Sequence, residues 1–450
     1  MMFSDGRDLQ VSGAPEQAIW WHVYPLGFVG AEQESRVCSG VAHRFGRLAA
    51  WLDYAADLGV SGLLLGPIFA SATHGYDTID HFQIDRRLGD EADFEAFISA
   101  AQQRGLRVIL DGVFNHVGCD CPIFQRAVAG GPGSREASWF RLTWPPDGAA
   151  DREPDYATFE GHRQLVALNH DEPAVAEYVT GVMNYWLERG ADGWRLDAAY
   201  AVPRPFWRRV LPQVRARHPD AYIFGEVIHG DYAGIVRDAG MSAVTQYELW
   251  KAIWSTLNDR NLFELAWALN RHAAMLEAFV PQTFVGNHDV TRIASQLRDE
   301  RHLAHALVVL MTCGGTPSIY AGDEQAFRGI KEHRAGGDDA VRPAFPATPA
   351  DLAPFGWPVY RLHQDLIGLR RSNPWLHRAK TRITALCNTD MLFEAFHEES
   401  RLWVALSVSD APVTHAIDAK LDRLAGNLAV DRKGAMTEIT VPAHGWGILA

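Results

Sequence analysis

The 450-residue chain has no run of about 18 or more apolar residues, which argues against a membrane-spanning helix and against a membrane partner. Cysteine is scarce: Cys38, Cys119, Cys121, Cys313 and Cys387 are odd in number and scattered, which excludes a disulfide framework and fits a reducing cytoplasm. Cys119 and Cys121 form the only close pair. No second Cys/His pair stands near them at zinc-site spacing, so no metal is expected there. Basic residues are also in deficit, 42 Lys and Arg against 55 Asp and Glu, for a formal charge of -13. No basic face is available to displace counterions, so a nucleic-acid partner is excluded. The N-terminal MMFSDGRDLQ carries two acids and no apolar run, unlike a secretory signal.

What is present is an ordinary globular composition, 47% hydrophobic and 22% charged. The length exceeds the usual ceiling for one core, so one large domain with one or two small ones is expected. Short apolar runs alternate with amphipathic stretches from residue 19 to about 372. The runs are IWWHVYPL (19–26), VSGLLLG (60–66), LRVILDGV (106–113), ADGWRLD (191–197), YIFGEV (222–227), MSAVTQY (241–247), QTFVGN (282–287) and TPSIYA (316–321). Between them, FGRLAAWLDYAADLG, DEADFEAFISAAQQRG, EPAVAEYVTGVMNYWLERG and RPFWRRVLPQVRARH carry apolar stripes near helical spacing. Eight strand–helix units predict an α/β fold, a (β/α)8 barrel over residues 1–116 and 173–372. Residues 117–172 are too long and too rich in Gly, Pro and Trp for a turn, and predict a small inserted domain after the third strand. From 376 to 450, short alternating runs (MLFEAFHE, RLWVALSV, TEITVPA, GWGILA) predict an antiparallel β domain, a β-sandwich.

The stretch GWRLDAAYAV (193–202) sets Arg195 and Asp197 two apart in an apolar run. On a strand both leave the backbone on one side, with Trp194 and Leu196 on the other. Working residues of such barrels lie at the C-terminal strand ends. Those ends carry Asp111 with Asn115 and His116 (strand three), Arg195 and Asp197 (four), Glu226 (five), and His288 with Asp289 (seven). Four carboxylates converging on one mouth point to chemistry rather than structure. Glycosidic cleavage with retention needs an ionised carboxylate nucleophile and a protonated carboxylic acid about 5 Å apart. Arg195 is expected to keep Asp197 ionised, and crowding to raise the proton affinity of Glu226.

DGVFNH (111–116), GWRLDAAY (193–200), FGEV (224–227) and FVGNHD (284–289) resemble the four ordered sequence blocks of the α-amylase family, glycoside hydrolase family 13. HGYDTID (74–80), RLGDEADF (87–94) and IYAGDE (319–324) extend the resemblance over nearly the whole chain. It implies Asp197 as nucleophile, Glu226 as general acid/base and Asp289 as the third carboxylate, binding sugar hydroxyls. It further implies Arg195 as the group positioning Asp197, His116 and His288 as hydroxyl ligands, and Tyr76 as a stacking platform, with Asp111 structural near the site. Many members hold calcium through the equivalent of Asn115, an Asp in a block LPDLN, and a His four residues after the nucleophile. Here LVALN (165–169) puts Ala167 at the Asp position and Ala201 stands at the His position. Calcium independence is therefore expected, with no cofactor. Beyond the nucleophile, Tyr200-Ala201 replaces the usual acceptor-side pair, and Glu226-Val227-Ile228-His229 is similar to the Glu-Ile-Trp-His of neopullulanases and cyclomaltodextrinases, which makes Tyr200 and His229 candidate substrate contacts.

The resulting expectation is a cytoplasmic retaining α-glucan hydrolase acting on short linear or cyclic maltooligosaccharides, of the cyclomaltodextrinase and neopullulanase branch. A cyclic maltosyl-maltose hydrolase fits the same description. The partner is an oligosaccharide, and a homodimer is a candidate assembly. A transglycosylase or a sugar isomerase of the trehalose synthase kind shares the same intermediate and is the alternative, and a non-catalytic sugar-binding or partner protein is the alternative of another class.

Overall fold

Each of the eight predicted strands forms: Trp20–Val23 (β1), Gly62–Leu65 (β2), Arg107–Gly112 (β3), Gly193–Leu196 (β4), Tyr222–Gly225 (β5), Ala243–Val244 (β6), Gln282–Phe284 (β7) and Thr316–Tyr320 (β8). The coordinates are a computed structural model that describes residues 17–145, 154–334 and 336–450. Hydrogen bonding runs β6-β5-β4-β3-β2-β1-β8-β7, all parallel, and a parallel bridge between Thr245 and Gln282 joins the two ends. The sheet is thus a barrel. Its strands are short continuous apolar runs because helices cover one face and the barrel interior the other.

Alternation divides each strand between those two faces. Trp21 packs outward on Phe28, Trp51 and Tyr54, whereas its neighbour Trp20 stacks on Tyr222, ring centroids 6.1 Å apart. On β4, Trp194 meets Phe69 and Phe114 on the outer side. Arg195 is paired with Asp111 of β3 and Phe224 of β5 in register, so the three residues sit at one level of the barrel. A cavity of about 20 Å³ inside the barrel is lined by Arg195 and Phe224 together with His22, Leu64, Phe284 and others. That is room for about one water.

The predicted helices appear at Glu91–Gln102, Pro173–Glu188 and Arg204–Arg217. The first is started by a capping box between Asp90 and Asp93, the second by the Glu172 side chain with Pro173 at its first position. The stretch after β1, expected as one helix, is two: Phe45–Ala49 and Leu52–Leu58. At the break Trp51 is fully buried, its ring against Trp21, Phe28, Tyr54 and Phe345. Burying that indole outweighs one continuous turn of helix.

The inserted segment begins directly where β3 leaves the barrel. His116–Gly118 pairs antiparallel with His162–Ala167, which also pairs with Thr158–Phe159, and a helix spans Pro122–Gly130. The C-terminal part is two antiparallel sheets. Lys380–Leu386, Asp390–His397, Ser400–Ser407, Trp446–Leu449 and Arg423–Gly426 form one, and Val413–Ile417, Met436–Val441 and Ala429–Lys433 the other. Leu392, Ala405, Ile417, Ile439, Val441 and Leu449 pack between them as a core of their own. The strands missing from the sequence reading, such as Ala429–Lys433, are mostly exposed and dilute the alternation with charge. No helix among the described residues is long and apolar enough to cross a membrane.

Candidate active site

Arg195 is the hub. Its Nη1 donates to both oxygens of Asp111 at 2.8 and 2.7 Å and to Asp197 Oδ1 at 3.1 Å, and its Nη2 lies 3.0 Å from Glu226 Oε1. Three carboxylates from the ends of β3, β4 and β5 therefore share one guanidinium, whose planar fork fixes their relative orientation. All four side chains are nearly inaccessible.

Glu226 is held by two further donors. The Ala198 amide donates to Oε2 at 3.0 Å, and the Tyr247 hydroxyl to Oε1 at 3.1 Å. Ala198 reaches it from the left-handed region, φ 45°, an uncommon conformation for a residue with a Cβ. Tyr247 in turn accepts from Asn287 Nδ2 at 2.9 Å, and Asn287 Oδ1 accepts from the Asp289 amide at 2.8 Å. This chain of bonds ties the end of β7 to the end of β5 across the mouth.

Asp289 closes the ring. One oxygen lies 3.0 Å from His288 Nε2, and the other accepts from Arg342 Nη2 at 2.8 Å. Arg342 comes from the segment after β8, where its Nε also donates to the His288 carbonyl at 2.9 Å, and a second carboxylate, Asp338, lies 3.1 Å from it. The His288 ring is stacked between Tyr24 and Tyr76, at 6.0 and 5.3 Å and nearly parallel to both. The Tyr76 hydroxyl joins Asp111 Oδ2, 3.1 Å away, to His288 Nε2.

Of the remaining predicted residues, His116 lies one shell out. Its ring nitrogens face the Tyr76 carbonyl at 3.0 Å and Asn115 Nδ2 at 3.1 Å, and its ring stacks on Phe159 of the insertion at 4.8 Å. In this structure it props Tyr76. Tyr200 stands half-buried at the rim, where its hydroxyl donates to Glu160 Oε1 at 3.0 Å, Glu160 itself being in left-handed backbone at the tip of the insertion hairpin. His229 is exposed in the turn after β5, and no hydrogen bond ties it to the network among the described residues. Tyr247, Asn287 as a link, Arg342 and Glu160 were not picked out by sequence reasoning. Tyr247 had a signal, because it closes the sixth predicted strand, the position where barrel function concentrates. Arg342 had none, since it lies in an irregular connection.

The electrostatics depart from the expectation for Asp197. Burial raises its carboxyl well above the ordinary range; Arg195 opposes this, and Glu226, Asp111 and Asp289 reinforce it. The guanidinium expected to serve Asp197 alone is divided among three acids. Asp111 is raised by burial for the same reason. Asp289 goes the other way: burial is outweighed by His288, Arg342 and Arg195, and its carboxyl lies well below the ordinary range. Tyr76 and Tyr247 are raised by burial and by the neighbouring carboxylates, so both are hydroxyl donors at neutral pH. Burial pushes His116 down to about 3, a neutral imidazole.

The α-amylase catalytic-domain family model matches residues 45–381, which includes every strand end described above except that of β1. The chain belongs to the α-amylase family. A cyclomaltodextrinase of Geobacillus thermopakistaniensis is 31% identical over 411 residues, 88% of this chain and 63% of that protein. Among solved structures, a cyclomaltodextrinase superposes with a TM-score of 0.82 at 25% identity over 96% of this chain and 78% of that one. A debranching enzyme of Nostoc punctiforme gives 0.81 at 25% identity over 96% and 98%. The chain spans less than two thirds of the length of the first curated relatives it matches.

The calcium position found in many members of the family lacks its donor set. Ala167 pairs with His116 in the insertion sheet and Ala201 is exposed, neither with a side-chain oxygen. Calcium takes six to eight oxygens, and these residues do not fit it.

Proposed function

We propose that the protein is a retaining α-glucan hydrolase that cleaves α-glucosidic bonds of short linear or cyclic maltooligosaccharides through a covalent glycosyl-enzyme intermediate. The observation that carries this reading is the binding of Asp197 and Glu226 to the two terminal nitrogens of one arginine, at the ends of adjacent strands. A retaining displacement needs one proton and one negative charge on such a pair. Crowding around Arg195 raises the Asp197 and Asp111 carboxyls, which favours retention of a proton within this group of acids.

In the first step Asp197 attacks the anomeric carbon while Glu226 protonates the departing glycosidic oxygen. The C–O bond of the linkage breaks and a glycosyl–Asp197 ester forms. Water, deprotonated by Glu226, then attacks the same carbon and releases Asp197. Ala198 N–H and Tyr247 O–H aim Glu226 throughout. Asp289, kept anionic by His288 and Arg342, offers acceptors for sugar hydroxyls, and the Tyr76 ring is the platform on which the sugar rests. The similarity to cyclomaltodextrinases supports short α-glucans as substrates. All five cysteines are free, which suits a reducing compartment such as the cytoplasm.

The test is product analysis with β-cyclodextrin, maltotriose, panose and pullulan, followed by mass spectrometry of the protein after reaction with a 5-fluoro-α-glucosyl fluoride. Release of short maltooligosaccharides and a label on the peptide containing Asp197 are expected. Label elsewhere, or cleavage retained in both Asp197→Asn and Glu226→Gln, would refute the assignment. Transfer to sugar is the second reading, and the aromatic pair Tyr200 and Phe159 at the rim, 6.5 Å apart, is what favours it. Predominantly longer products from maltotriose would identify it.

A further inference from the structure

At the seam between the barrel and the C-terminal sheets, a buried imidazole, His302, faces a partly buried one, His444. His302 belongs to the turn Glu300–His302 that leads into the helix Leu303–Thr312, and His444 to the turn before the last strand, Trp446–Leu449. His302 Nε2 and His444 Nδ1 are 2.9 Å apart. Asp299 Oδ2 is 4.0 Å from His302 Nε2, and all three atoms lie within 4.8 Å of one another. The other nitrogen of His444 is 3.0 Å from Asp410 Oδ1. A third ring, His305, sits edge-on to His302 at 5.2 Å and is fully buried, with Nε2 on the Ser407 and Gly445 carbonyls and Nδ1 without a partner among the described residues.

We propose that Asp299, His302 and His444 form a divalent-cation site, best matched to zinc, that fastens the C-terminal sheets to the barrel. Two imidazoles and a carboxylate from both sides of the seam are the ligand types zinc takes, with a fourth position left for water. Asp410 completes the arrangement: a His444 Nε2–H that donates to a carboxylate leaves Nδ1 as the lone-pair nitrogen, the tautomer a metal requires. In the metal-free protein the facing nitrogens share one proton, carried by His302 Nε2; when the metal binds, that proton moves to His302 Nδ1, so both rings coordinate as neutral imidazoles. Zn–N bonds of about 2.0–2.1 Å in a tetrahedron set the nitrogens about 3.3–3.4 Å apart, so the rings part by a few tenths of an ångström. Asp299 must also turn from Arg301, which now pairs with it on the surface, as Arg260 pairs with Asp410. Both arginines are substantially exposed and free to swing into water.

The site is independent of the catalytic reading, and its test does not use activity. The full-length protein, stripped with a chelator and desalted, is titrated with zinc by calorimetry and with cobalt by visible absorption at about pH 7.5 and about pH 5.5. His444→Asn, which tolerates the left-handed backbone at residue 444 (φ 52°), and His302→Gln are titrated beside it. One zinc per chain is expected, with the visible bands of tetrahedral cobalt, a rise in Tm of about 2 °C or more at saturation, and weaker binding by about tenfold or more at the lower pH. Each variant that folds by circular dichroism is expected to bind about 10–100-fold more weakly. No saturable binding by the wild-type protein, or unchanged affinity in either folded variant, overturns the proposal. If one variant fails to fold, the other variant and the wild-type cobalt spectrum decide.

Discussion

The residue after Asp197 holds Glu226: the amide of Ala198, bent into left-handed backbone at φ 45°, donates to Glu226 Oε2 at 3.0 Å. One short turn thus fixes both carboxyls, the first by its place directly after β4 and the second by this hydrogen bond. Backbone strain of this kind persists only where the surroundings over-determine it, and here the surroundings are the two acids.

Ala198→Val is the direct probe. A β-branched residue is excluded from the left-handed region more strongly than alanine, so the turn must move and the Glu226 donor with it. Hydrolysis of β-cyclodextrin is expected to fall by about 10–100-fold in kcat/KM, while Ala198→Gly stays within a few fold of wild type.

Asp197 must be ionised to attack, yet burial and neighbouring acids raise it well above the ordinary range. The acidic limb of the kcat/KM profile is therefore expected above the ordinary carboxylate range. Asp111 contributes to that rise and also occupies Arg195. Asp111→Asn removes a like charge and frees the guanidinium for Asp197, so the limb moves to lower pH. A limb that stays in place, measured on p-nitrophenyl α-maltoside, refutes this division of the charge.

Stability should respond with opposite signs at two neighbouring acids. A raised carboxyl binds its proton more tightly folded than unfolded, so Asp197 contributes stability below its unfolded pKa, and that contribution is lost as pH rises through the folded value. Asp289 is depressed, so its contribution is present above its unfolded pKa and lost as pH falls through the folded value. At pH 7, Asp197→Asn is expected to raise Tm and Asp289→Asn to lower it, each by a few degrees in thermal unfolding, and both differences should shrink in acid.

Arg342 serves Asp289 and Asp338 together, from a nearly buried position over the Tyr24 ring at 4.8 Å. Arg342→Met leaves Asp289 with His288 alone. A loss of about 10–100-fold in kcat/KM is expected, partly recovered in Arg342→Lys, which keeps the charge without the fork.

Calcium should be without effect. Millimolar calcium added to chelator-treated protein is expected to change neither the hydrolysis rate nor Tm, because Ala167 and Ala201 supply no ligand. A calcium-dependent rate would require ligands these positions do not provide.

Much of this molecule could be read along the chain. A parallel barrel strand is buried on both faces, so each was visible as a short apolar run, and the ends of those runs carried Asp111, Asp197, Glu226 and Asp289. The alternation within GWRLD put Arg195 and Asp197 on one side of the strand and Trp194 on the other, and the structure makes the first side the inner one. The break at Trp51 was not legible, because helical periodicity continues through it and only the packing of Trp21, Phe28 and Phe345 around the indole turns the chain there.

What the chain order determined by itself is which acids meet, since covalent spacing and a period of two fix where each side chain leaves its strand. Tertiary structure alone decided how charge and protons are distributed among them. Arg342 and Glu160 arrive from segments with no period to read, 53 and 40 residues from Asp289 and Tyr200, and the proton affinity of Asp197 depends on burial and on how one guanidinium is divided. Coulomb energies depend on distances across space and on the loss of water, and neither quantity is a property of sequence order.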